Sequence, residues 1–445
     1  MGQLALLLVL SLSVSLAAPA WAQETEAEDA GPGMPFQEGD LISFDNISKL
    51  KDYLPPEFWE NREYFFYEGM EISIGPVMRD YSPADAYKAA TLKHAGKAKI
   101  GKDGGLHGYH GGQPFNEIDC KGDPDAGVKI AWNFVKRWSG DGADSTWSYT
   151  YWDRGDQLPL YYKGKAKMIS MAHRVEPQYA ATGGDLFKNE RRNNVFGIEV
   201  LEPFDARGIL LLTYRYKDAD KGRDEAKNDD TWVYVPDLRR TRRISTAQRS
   251  DSVQGTDFTM DDLNSFAGIV PQYTWECIGE ATVIAPQNTQ HMAYPYNDDY
   301  NFGPYGFSFS NDQWEVREAW IIKFDPKNDD HPYHHKDLYI DKESMKPLYS
   351  FAYDRKEELW KIIWHNKRYS EDWHTGDERA KGGDWYPGWE GVEKPNDLRI
   401  VSDIIVNVQT GTGNRIEYWD SHGKPLKSRG KVRRYIDIGR LNKGR

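Results

Sequence analysis

The chain has 445 residues, of which 39% are hydrophobic and 28% are charged, and this composition excludes disordered and collagen-like proteins. Its 57 basic and 69 acidic residues give a formal net charge of −12, so we expect no nucleic-acid partner. The chain contains 16 Trp, 27 Tyr and 17 Phe. Because aromatic side chains favour half-buried pleated surfaces, the first expectation is a β-rich protein.

The amino terminus carries an apolar run over residues 4–18, which is too short to span a bilayer, since this takes about 20 residues. Ala20 and Ala22 then place small residues at both positions that a signal peptidase reads. We interpret residues 1–22 as a cleaved secretory signal peptide and Gln23 as the first mature residue. One departure from the usual pattern is that no Lys or Arg precedes the apolar run.

Residues 23–44 are acidic and contain Gly and Pro, which is typical of a flexible leader. The expectation is therefore a single folded domain over residues 45–440. Within it, Ser82 and Pro83 are typical of a helix N-cap and a first helical position, so a helix is predicted from there. The glycine-rich residues 101–127 predict a loop.

From about residue 196 onward, the dominant pattern is an alternation with a period of two. Leu210, Leu212 and Tyr214, for example, share one face of a strand. The same alternation recurs at 231–235, 316–324, 338–340, 349–353, 360–364, 400–408 and 415–419. These segments predict successive antiparallel hairpins with one aromatic face, and too few helices separate them for a βαβ fold.

Enzymatic signatures are missing from the sequence. It contains no G-x-S-x-G, H-E-x-x-H or C-x-x-C motif, no Walker loop and no dinucleotide fingerprint after a strand. Because catalytic triads are recognised by geometry rather than by motif, this absence is weak evidence. We expect a protein that is not an enzyme and that needs no cofactor.

The densest histidine cluster, residues 331–335, does not predict a metal site. His334 and His335 are adjacent on a predicted strand, so we expect their imidazoles to point to opposite faces and to form a polar hairpin end. Asp257, Asp261 and Asp262 lack the ligand spacing of a calcium loop. We predict instead that Thr256 or Asp257 caps a short helix that includes Asp261 and Asp262.

The two cysteines, Cys120 and Cys277, allow two interpretations. In an oxidising compartment they form one disulfide that closes a long loop. Alternatively they are two unrelated buried thiols, because spatial proximity cannot be read from sequence.

Four arginines, Arg239, Arg240, Arg242 and Arg243, lie within five residues of an acidic chain. Because guanidinium groups suit carboxylate and phosphate oxygens, one interpretation is a site for an anionic headgroup or a patch for an acidic partner. The alternative is that these arginines form ion pairs with neighbouring strands.

The segment from Asp230 to Ile244, followed by Gly255 to Leu263, resembles the signature of outer-membrane lipoprotein-sorting-protein-like (LolA-like) families. The segments at 339–348 and 353–360 resemble the later hairpins of these families. One departure is His334-His335-Lys336, where a more basic segment is expected.

The amino-terminal half resembles a more specific group. Gly112 to Phe115, Trp132-Asn133 and Arg137 are similar to the secreted family of domain of unknown function 1329. The resemblance as a whole covers about residues 80–420. It implies a mainly β (α+β) fold, in which a strongly curved antiparallel sheet forms an unclosed barrel around helices and a hydrophobic cavity.

The resemblance also implies a place in the periplasm of the Gram-negative envelope and the handling of a lipid. We predict a non-catalytic binding or shuttle protein for a lipid, acylated or other hydrophobic ligand, serving an inner-membrane exporter or an outer-membrane component. The aromatic face would line the concave side, and the arginines would contact the polar end of the ligand. The predicted ligand-binding residues are Trp232, Tyr234, Arg239, Arg240, Arg242, Arg243, Trp320, Tyr349, Phe351, Tyr353 and Trp360.

Three alternatives compete with this prediction. The same aromatic side chains can form the core between the sheet and its helices. The protein can also be a secreted enzyme acting on polysaccharide or lipid, or a structural subunit that lends its sheet to an envelope assembly.

Overall fold

The structure is a computed structural model that describes residues 33–140, 142–153, 158–244, 249–289, 301–369, 397–419 and 428–441. The predicted signal peptide and residues 23–32 of the predicted leader lie outside the described residues. The strands are β1 (Leu41–Ser43), β2 (Glu71–Ile74), β3 (Lys99–Ile100), β4 (Leu106–His107), β5 (Gly142–Asp153), β6 (Leu160–Ser170), β7 (Arg192–Glu202), β8 (Leu210–Tyr216), β9 (Asp230–Val235), β10 (Arg240–Ile244), β11 (Tyr273–Ala285), β12 (Gln313–Pro326), β13 (Tyr333–Asp341), β14 (Pro347–Asp354), β15 (Leu359–Tyr369), β16 (Leu398–Asn407) and β17 (Thr412–Trp419). The α-helices are α1 (Pro56–Glu60), α2 (Arg62–Phe65), α3 (Asp85–His94), α4 (Ala126–Val135), α5 (Arg429–Tyr435) and α6 (Ile438–Leu441).

Fifteen strands form one sheet in the order β1-β2-β12-β13-β14-β15-β16-β17-β5-β6-β7-β8-β9-β10, with β11 paired to β12 beside this path. The strands pair antiparallel, except that β2 and β12 pair parallel. Among the described residues, the strands at the two ends of this order do not pair with each other, so the sheet does not close. The predicted mainly β fold with an unclosed antiparallel sheet is confirmed.

The predicted hairpins from residue 208 onward correspond to β8 and β9 and to β12 through β17. The alternation did not predict β5, because its residues from Asp144 to Thr150 are buried on both faces of the sheet. A strand that is buried on both faces lacks the alternation of apolar and polar residues.

Two predicted helix starts are wrong. The helix α3 begins at Asp85 after Ala84, because the Ser82 hydroxyl donates to the Asp80 carboxylate instead of capping the helix. The short helix near residue 260 is a 3-10 helix over Met260–Ser265 that follows Thr259, and not Thr256 or Asp257. The Thr259 hydroxyl donates to Asp262 Oδ2 at 2.9 Å.

One face of the sheet carries Tyr349, Phe351 and Leu212 and is called the outer face, and the opposite face is called the inner face. Helices cover the outer face at two places. At the first, α1 and α2 pack on β12 and β14 to β16, where Phe58 contacts the rings of Tyr349 and Phe351 at centroid distances of 4.8 and 5.5 Å. At the second, α5 and α6 pack on β7 to β9 through Val432 and Ile436. These two clusters bury most of the outer face.

The inner face contacts α4 and the segment of residues 256–268. The helix α4 packs through Ile130 and Phe134 against Ile322 and Leu338 of the sheet. The 3-10 helix Met260–Ser265 contacts β14, β15 and β16. The inner face of the sheet is therefore covered by α4 and residues 256–268.

Part of the predicted leader belongs to the fold. Phe36 is buried against Tyr53 at a ring-centroid distance of 5.0 Å, and β1 pairs with β2. Residues of the predicted leader therefore pack against the fold, because an apolar side chain and a strand lie within the acidic stretch.

Cys120 and Cys277 form a disulfide, with their Cα atoms 5.4 Å apart. Of the two alternatives for the cysteines, the structure selects pairing. The disulfide joins the loop before α4 to β11, so it fastens the inner helix to the edge of the sheet.

Candidate functional site

A cavity of about 370 Å³ lies between the inner face of the sheet and the segments that cover it. Its walls come from the loop after α4, from residues 260–268, and from strands β5 to β8, β16 and β17. The apolar side chains that line it include Ala143, Ala166, Met168, Phe196 and Ile400 on the sheet side and Met260, Leu263 and Phe266 on the covering side. The small side chains of Ala143 and Ala166 leave room on the sheet side.

Residues 260–268 form a cavity wall that is held by a buried ion cluster. Asp262 accepts hydrogen bonds from Lys336 Nζ at 2.8 Å, from Lys361 Nζ at 3.3 Å and from the Tyr333 hydroxyl at 2.7 Å. Burial alone would raise the pKa of Asp262, but the two lysines hold this pKa well below its usual range. One carboxylate thus pairs with two strand lysines and fixes the wall to the sheet.

Next to this wall, a serine, a histidine and an aspartate contact one another in the same order in which they occur along the chain. Ser265 Oγ lies 2.6 Å from His365 Nε2, and His365 Nδ1 lies 3.0 Å from Asp403 Oδ1. Asp403 also accepts from the Asn264 backbone and the Tyr418 hydroxyl. Burial lowers the pKa of His365, which favours the neutral imidazole. All three side chains are fully buried and none of them lines the cavity.

On the β8 side of the cavity, the charges are matched one to one. Arg215 holds Asp229 through two hydrogen bonds of 3.0 and 2.8 Å. Arg249 donates to Asp229 at 2.8 Å and to Asp261 at 2.7 Å. Both arginines also donate to the Ala267 carbonyl oxygen. Two cations therefore face two carboxylates, and these bonds hold residues 267 and 268 in place.

On the β16 side, the cations Arg137, Lys346 and Arg399 line the cavity together with Asp397. Lys346 Nζ lies 3.0 Å from Asp397 Oδ1, and Arg399 Nε lies 3.7 Å from Asp397 Oδ2. Burial lowers the pKa of Lys346 to about 8 and that of Arg137 to about 10. This side is the more positive of the two within the part of the chain that the structure describes.

The eleven predicted ligand-binding residues do not come together at this cavity, and none of them lines it. Tyr349 and Phe351 are fully buried under α1 and α2 on the outer face. Trp232 and Tyr234 pack with the cluster around α5 and α6, also on the outer face. For these four residues, the core-packing alternative describes their position.

The other predicted residues are spread over the surface and the sheet. Trp320 packs with the α4 cluster, Trp360 stands beside Tyr333 at a ring-centroid distance of 5.5 Å, and the Tyr353 hydroxyl donates to Glu57 at 3.1 Å. The arginines of the β9–β10 hairpin, Arg239, Arg240, Arg242 and Arg243, are exposed. Arg243 pairs with Asp230 of β9, as the ion-pair alternative predicts.

The histidine cluster differs from the prediction. The register between β13 and β14 shifts between Tyr333 and His335, so the two imidazoles meet, and His334 Nδ1 lies 2.9 Å from His335 Nδ1. With Asp325 they form a group whose ligand atoms lie within 4.8 Å of one another. The expectation that these rings point to opposite faces is wrong, because the irregular pairing reorients one residue. These three residues have the donor types of a transition-metal site.

Comparison with known proteins assigns the chain to a family. The model of the family described as "Protein of unknown function (DUF1329)" matches residues 41–389. The chain belongs to the DUF1329 family. This confirms the resemblance found in the sequence.

A curated relative is the uncharacterized protein PA3922 of Pseudomonas aeruginosa, which is 22% identical over 335 residues, 72% of this chain and 67% of that protein. Two solved structures are each 16% identical and cover 72% of this chain. One is a putative outer membrane lipoprotein-sorting protein domain from Vibrio parahaemolyticus, covered in full with a TM-score of 0.45. The other is a DUF1329 family protein from Desulfovibrio piger, covered to 99% with a TM-score of 0.44.

The helices of the described residues were compared with the requirements for crossing a membrane. Within the part of the chain that the structure describes, none has both the length and the hydropathy that crossing a bilayer requires.

Proposed function

We propose that this protein is a periplasmic, non-catalytic binding or shuttle protein whose cavity holds the apolar part of a lipid, acylated or other hydrophobic ligand. The observation that carries the proposal is the cavity of about 370 Å³ with apolar side chains on both the sheet and the covering segment. Transfer of an acyl chain into such a site contributes about 0.8 kcal/mol per methylene group. Binding of this strength requires no covalent chemistry.

The test uses the neutral fluorescent probe N-phenyl-1-naphthylamine, whose emission increases in an apolar site. We expect saturable binding to the purified protein and a loss of affinity of about tenfold or more in Met168→Trp, because the larger ring fills the cavity. The control is Leu92→Trp, which adds an indole at an exposed position of α3. Absence of saturable binding to the wild type, or equal binding to both variants, would contradict the proposal.

Residues 1–22 and the small residues Ala20 and Ala22 support export to the periplasm. Amino-terminal sequencing of the fractionated protein tests this, with Gln23 as the expected first residue. Intact protein that begins at Met1 in the cytoplasm would overturn this part of the proposal. The proposal also includes exchange of the ligand with an envelope exporter or an outer-membrane component. Chemical crosslinking of the protein to such a partner in whole cells tests this part.

A second candidate is an acyl hydrolase, because Ser265, His365 and Asp403 have the spacing of a nucleophile, a base and an orienting acid. Against it, all three side chains are buried and none of them lines the cavity. A fluorophosphonate probe distinguishes the two functions, with Ser265→Ala as the control. A carrier remains unlabelled, whereas labelling that is lost in Ser265→Ala would favour the hydrolase.

A further inference from the structure

Arg137 is a cavity-lining cation that forms no ion pair with the described residues. It follows the carboxyl end of α4, where its Nη1 donates to the Phe134 carbonyl oxygen at 2.6 Å and its guanidinium lies 4.3 Å from the centre of the Phe134 ring. Its Nε is inaccessible to solvent and has no hydrogen-bond partner in the part of the chain that the structure describes. No carboxylate oxygen of the described residues lies within 4.0 Å of its guanidinium nitrogens. A buried donor of this kind is costly unless something pairs with it.

The carboxylate of this wall, that of Asp397, is paired with a lysine. Asp397 accepts from Lys346 Nζ at 3.0 Å, and Lys346 also donates to the Trp138 carbonyl oxygen at 2.8 Å. Asp397 and Asp403 act on Arg137 only through longer-range attraction. A side pocket of about 20 Å³ shares Arg137, Trp138, Lys346 and Asp397 with the main cavity, so these groups stand where the two spaces meet.

The β8 side of the same cavity lacks this feature, since Arg215 and Arg249 are both paired with carboxylates there. Between the two sides lie the apolar residues Met168, Phe196 and Leu263. The cavity thus has an apolar middle and one polar wall whose guanidinium has no carboxylate partner among the described residues. This polarity matches a molecule with an apolar chain and an anionic head.

We propose that Arg137, together with Lys346, binds the oxoanion head of an acylated ligand, a carboxylate or a phosphate, while the chain occupies the apolar part of the cavity. This inference rests on the proposed function and adds the chemical class of the ligand. Guanidinium binds both head types through paired N–H donors, and burial strengthens such charge-assisted bonds.

The experiment measures affinities of three probes with the same chain, 1-dodecanol, dodecanoate and dodecyl phosphate, by isothermal titration calorimetry. We expect both anions to bind wild-type protein at least about tenfold more tightly than dodecanol, the scale of one hydrogen bond to a charged group. The tighter of the two anions distinguishes a carboxylate from a phosphate ligand. If all three probes bind equally, the inference fails and the proposed function stands, whereas binding of none of them overturns both.

Three variants separate recognition of the head from a structural role. Arg137→Met should lose the preference for anions and keep its affinity for dodecanol, while Arg137→Lys should retain part of the preference. The matched control Arg207→Met replaces an exposed arginine between β7 and β8. Because Arg137 is buried and forms no ion pair with the described residues, we expect no decrease in the thermal midpoint of Arg137→Met without ligand. A lower midpoint with equal losses for all three probes would overturn the inference.

Discussion

The two faces of the sheet differ in the side chains that pack against them. On the outer face, rings such as Phe58, Tyr349 and Trp364 pack against one another under short helices. On the inner face, Ala143 and Ala166 line a cavity, and the covering segment is held by buried ion pairs together with ring contacts of Phe258 and Phe266. The outer face is thus filled by packed rings, whereas the inner face combines ring contacts with buried charges and leaves a cavity.

The largest expected effect comes from breaking the ion cluster of the inner face. Asp262→Asn leaves Lys336 and Lys361 buried without their carboxylate, and we expect a loss of about 3–5 kcal/mol in the free energy of unfolding. Urea denaturation measures this loss. The control Asp85→Asn removes an exposed carboxylate that pairs with Lys88 and should change the stability by less than about 0.5 kcal/mol. Equal effects of the two substitutions would show that the inner wall does not depend on this cluster.

On the outer face, Phe58→Ala removes a fully buried ring that contacts Phe65, Phe309, Tyr349 and Phe351. We expect a loss of about 3–4 kcal/mol in the free energy of unfolding, from lost burial and the cavity left behind. Under conditions where the variant is folded, its affinity for N-phenyl-1-naphthylamine should equal that of the wild type. A loss of probe affinity in the folded variant would mean that the two faces are not separate in function.

The disulfide connects the inner helix to the sheet edge, so removing it tests how firmly the inner side is held. Cys120→Ser should lower the free energy of unfolding by about 2–4 kcal/mol, since the bond closes a loop with a sequence separation of 157 residues. The double variant Cys120→Ser, Cys277→Ser should lose no more than the single variant, because both lack the same bond. Guanidinium denaturation without reductant measures both. Additive losses would show that the cysteines contribute through separate contacts.

The sequence predicts which residues share a strand face, but it does not predict what packs against that face. Alternation at Tyr349 and Phe351 predicts a shared strand face, but it carries no information about which helix covers that face. The cavity depends on Arg137 and Lys346, which come from segments far apart in the chain, so no local pattern brings them together. The meeting of His334 and His335 depends on a register shift that an ideal strand does not have.

The smallest expected effect is a pH dependence of ligand affinity on the β16 side. Burial lowers the pKa of Lys346 to about 8, and Asp397 partly opposes this while Arg137 and Arg399 reinforce it. An anionic head stabilises the protonated lysine, so dodecanoate affinity should decrease several-fold as the pH rises from about 7.5 to about 9.

The pKa of Arg137 is lowered to about 10, and burial lowers that of His173 to about 3, so both lie outside this window. Burial brings the pKa of Glu343 in the side pocket up to about 7 and that of Lys367 down to about 7, so the measurement begins above both values. Titration calorimetry from pH 7.5 to pH 9 should give a declining affinity for dodecanoate and a constant affinity for 1-dodecanol. For Lys346→Met, the affinity for dodecanoate should be lower than that of the wild type at neutral pH and should not change with pH. A decline that persists in Lys346→Met would assign the titration to another group and remove Lys346 from the head site.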